Sequence, residues 1–307
     1  MTLIVNIATY EGIVIASDSK QIQTERNNLV RASENITKIF PINDKVVVSL
    51  AGLAFFNKPD GKLENVADYI TDYAKTVKDN TSIETIANEL YNYILQRYPL
   101  ELQQNATEEN IKAQVAMMGN ELISIQRQND LIKFKARDPQ GNIKEGICQL
   151  QPVDILIAGY NENNETEIFE LTIPGTIQQK RQPNDYGGTW VGQGDVVARL
   201  ILGYDGRIFV NPFFQQKFQG STQQEIQQQL GLLEYKIPWS TLPLQDAIEL
   251  AVFLIKTTAT IQKYTDSIIG DDHQIAAVGG PIDVVVITPN DKVKWINKKQ
   301  LHYPDNL

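Results

Sequence analysis

Apolar positions along the chain follow two periods, and the switch between them divides the sequence. Residues 2–9 (TLIVNIAT) and 12–18 (GIVIASD) are Ile/Val-rich runs joined at Tyr10-Glu11-Gly12, which predicts a β-hairpin. Residues 35–41 (NITKIFP) and 45–51 (KVVVSLA) form a second pair around the turn residues Asn43-Asp44. Runs this rich in branched residues suit sheets covered on both faces. Helical spacing follows over 62–77 at Leu63, Val66, Ala67, Ile70, Tyr73 and Ala74. Thr81 with Glu84 predicts a capping box for a helix running to about Tyr98.

Residues 99–130 are polar, rich in Gln and Asn and weakly helical, and read as an excursion. Strands resume with LIKFKA and IKEGICQL, then VDILIAGY (153–160) and EIFELTI (167–173), a hairpin across an Asn-rich turn. TWVGQG leads into the helical VVARLILGY. A second excursion, about 203–240, leans toward low complexity. An amphipathic helix from about Leu244 to Tyr264 precedes the closing strands IAAVGGPIDVVVIT and KVKWINKK. The pattern predicts an α+β chain in which two sheets are covered by helices, organised as a single domain over 1–307 with insertions at about 99–150 and 203–240.

Composition narrows the chemistry. The formal charge of the 307 residues is −9, which argues against a nucleic-acid or anionic-membrane partner. No stretch approaches the roughly 18 apolar residues of a membrane helix. Cys148 is the single cysteine, so an internal disulfide is excluded; a reducing, cytoplasmic setting without a secretory leader is the expectation. His273 and His302 are the only histidines. A Ser-His-Asp site would have to use one of them, and a zinc site lacks ligands. Asp271-Asp272 beside His273 reads as a solvated loop rather than a metal site. No metal and no cofactor are expected.

An N-terminal threonine needs no histidine. Once Met1 is removed, the Thr2 hydroxyl attacks and the residue's own α-amine takes the proton. That amine, with an ordinary pKa of about 7.7–8.0, is poised near neutrality. Asp18 and Lys38 each lie in or beside an Ile/Val-rich strand, where an unpaired charge is costly, and so read as a pair. Gly52 ends a strand where a backbone N–H can approach a developing oxyanion.

With these residues in place, 2–56 resembles the N-terminal part of proteasome β subunits and of the related bacterial ATP-dependent protease peptidase. The matching runs are TLIVNIA, the glycine of EGIVIASDS, KIFPI and SLAG. LIAGYNENNETEIFEL, WVGQGDVVARLIL, LQDAIELAVFLI and AAVGGPIDVVVIT extend the likeness. The resemblance implies the four-layer αββα sandwich of N-terminal-nucleophile hydrolases. It places Thr2 on the catalytic threonine, Asp18 and Lys38 on its charge pair and Gly52 on the oxyanion glycine. It also implies that Gln21, Ile36, Phe40, Leu50 and Ala54 line the pocket for the residue preceding the scissile bond. A peptide or unfolded-protein substrate and a homo-oligomeric ring follow from the same likeness, which admits an ATPase partner.

Three departures accompany it. Gln193 stands where the family has the serine of a Gly-Ser-Gly run, and Val278 where it has a serine before Gly-Gly; the supporting aspartate is absent from its place, with Asp271 or Asp272 as substitutes. Pro59-Asp60-Gly61 interrupts the segment after Gly52. Two other readings therefore stand beside a threonine peptidase: a catalytically silent scaffold or binding subunit of the same fold, and an N-terminal-nucleophile amidase acting on a small amide.

Overall fold

The computed structural model describes residues 2–24, 30–265 and 276–300. The chain opens with a hairpin of β1 (Leu3–Ala8) and β2 (Ile13–Ser17), then a ribbon of β3 (Gln21–Thr24) and β4 (Val30–Ser33). β5 (Ile39–Pro41) pairs with β6 (Val46–Gly52), and the small hairpin β7 (Phe55–Asn57) and β8 (Leu63–Asn65) precedes α1 (Val66–Ala74). Helices α2 (Ile83–Leu95) and α3 (Leu100–Met117) follow. The strands β9 (Glu121–Gln128), β10 (Leu131–Arg137) and β11 (Ile143–Gln149) make a separate meander. Next come β12 (Val153–Tyr160), β13 (Thr166–Ile173), β14 (Ile177–Arg181) and β15 (Gly187–Gly192), then α4 (Asp195–Leu202). Three short helices, α5 (Arg207–Val210), α6 (Pro212–Phe218) and α7 (Gln223–Leu230), separate these from α8 (Leu244–Lys263), β16 (Asp283–Ile287) and β17 (Lys294–Asn297).

Two five-stranded antiparallel sheets carry the architecture, ordered β15-β1-β2-β16-β17 and β14-β13-β12-β6-β5. Side-chain alternation sorts every central strand between two cores. On β1, Leu3, Val5 and Ile7 pack with Val197 of α4 and with Ala251 and Leu254 of α8. Ile4 and Ala8 instead meet Val47, Leu156 and Ala158 of the other sheet. On that second sheet, Val48, Leu50 and Ile155 face α1 and α2, burying Ile70, Ile86 and Leu90. Helices, sheet, sheet, helices is the α+β sandwich that the Ile/Val runs and helical stripes predict.

Local details differ from the sequence expectation. The α2 cap is Ser82, whose side chain accepts from Thr85 N, rather than Thr81. The helix expected from residue 62 begins at Val66, capped by Asn65, because the segment around Pro59-Asp60-Gly61 is spent on the β7–β8 turn. The first excursion is ordered secondary structure: the 18-residue α3 lies on the β9–β10–β11 meander and buries only Ile111 and Val115. The longer link between Asp18 and Lys38 contains the β3–β4 ribbon.

Candidate active site

Thr2 precedes β1, and the main chain on both sides fixes it. Gln193 N donates to Thr2 O at 2.8 Å. Gly192 has φ +87°, and a Cβ there would lie 1.9 Å from that same oxygen, so this close approach requires glycine. Thr2 is only 6% exposed. Met1, before it, lies outside the described residues, as do Asp271, Asp272, His273 and His302.

Asp18 is wholly buried at the end of β2 and is saturated by donors. Oδ1 accepts Leu3 N at 3.0 Å and Lys38 Nζ at 2.8 Å; Oδ2 accepts Lys20 N and Gly279 N, each at 3.1 Å. A buried carboxylate so provided for is stable as an anion. Lys38 Nζ also donates to Lys20 O at 2.5 Å. Burial pushes the Lys38 ammonium below the ordinary lysine range, and the neighbouring Asp18 charge opposes that fall.

Thr2, Lys38 and Gly52 line one cavity of about 730 Å³. Gln21, Ile36, Phe40, Leu50 and Ala54 line it too, while Asp18 is held behind Lys38. Gly52 has φ +74°, and a Cβ on it would fall 2.3 Å from Pro152 O, so no other residue fits the turn out of β6. The β7–β8 hairpin adds Phe55, Asn57 and Leu63 to the wall. Gln103 and Ala106 of α3, within the first insertion, and Gln151, just after it, also reach the cavity. Nothing in their local sequence marks them: a polar helix face reads as solvated.

The two departures at the helper serines have distinct outcomes. Gln193 serves through its main chain, as the donor to Thr2 O. Val278 turns its side chain into the apolar layer beneath α8, at 2% exposure, and supplies no hydroxyl. Its loop is instead held by Gln262 of α8, whose Oε1 accepts Ala277 N at 3.0 Å and Val278 N at 2.9 Å. The next residue, Gly279, donates to Asp18 and accepts from Ser19 N. Gln262 thus positions the loop that grips Asp18. Replacing Gln262 by leucine leaves two buried N–H groups unpaired and is expected to lower stability by about 2 kcal/mol, read as a shift in the urea midpoint.

Asp154 of β12 lies beside Gly52, with Oδ2 3.3 Å from where a Gly52 Cβ would be. Burial pushes its carboxyl up to about 6; the Glu170 charge adds to the rise and a Thr172 hydrogen bond opposes it. The folded chain therefore keeps a proton that the unfolded chain sheds above about pH 4. Stability from this group is full below about pH 4 and is lost as pH rises toward 6. Asp154→Asn is expected to remove that slope. Its stability relative to wild type should rise by about 2 kcal/mol between pH 4.5 and 7 in chemical denaturation.

Residues 2–106 match the family model described as proteasome subunit. No curated protein matches the chain. The matched segment carries Thr2, Asp18, Lys38 and Gly52, the first helices and two of the five strands of each large sheet. Over residues 2–106 the chain is similar to proteasome subunits, and its α+β sandwich is consistent with their fold.

Proposed function

We propose that this protein is a threonine peptidase whose nucleophile is Thr2 after removal of Met1. The observation that carries the reading is the convergence of Thr2, Lys38 and Gly52 on one cavity, with Asp18 buried against Lys38. In this reading the Thr2 hydroxyl attacks the amide carbonyl while the α-amine takes its proton. The C–N bond of the tetrahedral intermediate breaks, the amine passes that proton to the leaving group, and an acyl-enzyme remains. The same amine then activates the water that releases the acyl group. Lys38, kept charged by Asp18, favours the deprotonated nucleophile, and Gly52 N–H stabilises the oxyanion.

Four of the five pocket residues, Ile36, Phe40, Leu50 and Ala54, are apolar, and Gln21 is uncharged. Peptides with an apolar residue before the scissile bond should be cleaved at least about tenfold faster than those with Arg or Glu, the scale of burying a few methylenes. A fluorogenic peptide panel checks this; fastest cleavage after Arg or Glu would contradict the pocket assignment. Peptides and unfolded chains are the substrates proposed. The family match supports assembly of several copies into a ring, and an ATPase that feeds such a ring is part of the same proposal.

One observation favours a silent scaffold: Val278 puts hydrocarbon where the family has a serine. The two readings separate on hydrolysis by the purified chain with Met1 removed, compared with its Thr2→Ala variant. Equal rates in the two would assign the fold to a binding subunit.

A further inference from the structure

The end of β2 holds a second pair of charges beyond the residues assigned to catalysis. β16 runs antiparallel beside β2, with Asp283 opposite Ser17, the residue before Asp18. Asp283 is 1% exposed, and it sits at the head of the apolar run VVVI. Its Oδ1 accepts Lys299 N at 2.7 Å, and its Oδ2 accepts the Lys299 ammonium. The Lys299 side chain is itself 8% exposed.

Two carboxylates and two ammonium groups are thus withdrawn from water around adjoining strand ends. Ser17 and Ser19, which flank Asp18, are fully buried, and their hydroxyls have no hydrogen-bond partner among the described residues. Such a site screens charges poorly, so a charge on one strand acts on its neighbour. Neither Asp283 nor Lys299 lies in the segment that matches the family model.

We propose that Asp283 and Lys299 are positioning residues for Lys38, a second buried ion pair that fixes the electric field at its ammonium group. The consequence for catalysis rests on the threonine-peptidase reading; the field itself does not. Among the described residues, three charged side chains act on Lys38: Asp18 and Asp283 favour its cation, and Lys299 disfavours it. The other described elements lining the cavity bring one ionisable side chain, the exposed Asp68 of α1. The Lys20 side chain lies against Gly279. A freed Thr2 amine adds a further charge whenever it is protonated.

A pair that merely pins the segment after β17 to the sheet and a pair that sets the field differ in sign. Asp283→Asn leaves the Lys299 cation uncompensated and makes Lys38 easier to deprotonate. Lys299→Met leaves the Asp283 anion uncompensated and makes it harder. Lysine-selective NMR on the full chain, with the Lys38 signal assigned by its loss in Lys38→Arg, reads this directly. The expected result is a titration midpoint that falls in Asp283→Asn and rises in Lys299→Met, each by about half a pH unit or more. Lys299→Arg, which keeps the charge, should leave it in place. Shifts of the same sign in both variants, or no shift in either, would overturn the proposal. Should Lys299→Met fail to fold, Asp283→Asn decides alone, a rise or no change being the contrary result.

NMR needs no turnover, so an inactive wild type counts against the peptidase reading and not against this one. In active enzyme the alkaline limb of kcat/KM should follow Lys38: to lower pH in Asp283→Asn, to higher pH in Lys299→Met. A shifted midpoint with an unmoved limb would refute the catalytic consequence alone.

Discussion

Replacing Thr2 by alanine is expected to abolish peptide hydrolysis, by about 10⁴-fold or more, with the fold intact. The main chain of residue 2 is held by its carbonyl, which accepts from Gln193 N, and by Leu3 N, which donates to Asp18. None of these bonds uses the threonine hydroxyl. Alanine therefore removes the nucleophile and leaves the strand entry in place, so the thermal midpoint should hardly change. Thr2→Ser keeps an attacking oxygen and should retain measurable turnover. Initial rates on one apolar fluorogenic peptide, with melting curves for each variant, test both halves. Equal activity in Thr2→Ala and wild type would remove Thr2 from the mechanism.

The second large effect falls on Lys38. Lys38→Met preserves most of the stem's packing but leaves Asp18 as a buried anion without its countercharge. Breaking such a pair costs about 3–5 kcal/mol. The lower end is expected here, because Leu3 N, Lys20 N and Gly279 N still donate to Asp18. Activity should fall by about 10³-fold in the variant that remains folded, the scale of losing one preorganised electrostatic partner at a reacting centre. Urea denaturation of variant and wild type at pH 7 measures the loss, and a variant as stable as wild type would contradict the pairing of Asp18 with Lys38.

Much of this was legible in the residues. The Ile/Val runs at 2–9, 12–18 and 45–51 announce strands buried on both faces, and a strand covered twice requires two layers around it. The helical stripe of Ile83, Ile86, Leu90 and Ile94 announces one of those layers. Asp18 and Lys38 stood out because a charge in or beside an apolar strand demands a partner. The same argument applied to Asp283 in DVVVI would have pointed to a second pair. Its partner Lys299, 16 residues away, is found only once β17 has turned the chain back.

Other parts had no local signal. α3 is polar over nearly all its surface, since it buries little more than Ile111 and Val115, so periodicity is faint. Its contribution to the cavity, Gln103 and Ala106, depends on how the insertion folds back toward the cavity that α1 also lines. Gln262 reads as a surface residue on an amphipathic helix, yet it is 4% exposed, because the loop at Ala277–Val278 needs an acceptor. Its place in the fold comes from the loop, which has no regular pattern of its own.

The central claim is that Thr2, with a free amine, is the nucleophile. Intact-mass analysis of the natural-host protein, before and after treatment with an apolar peptide epoxyketone, tests it most directly, because that reagent reports a hydroxyl nucleophile and an adjacent free amine together. The account predicts a chain lacking Met1 that gains one inhibitor mass, mapped to the N-terminal peptide and absent in Thr2→Ala. A chain that retains Met1, or one that lacks Met1 and gains no mass, would contradict it.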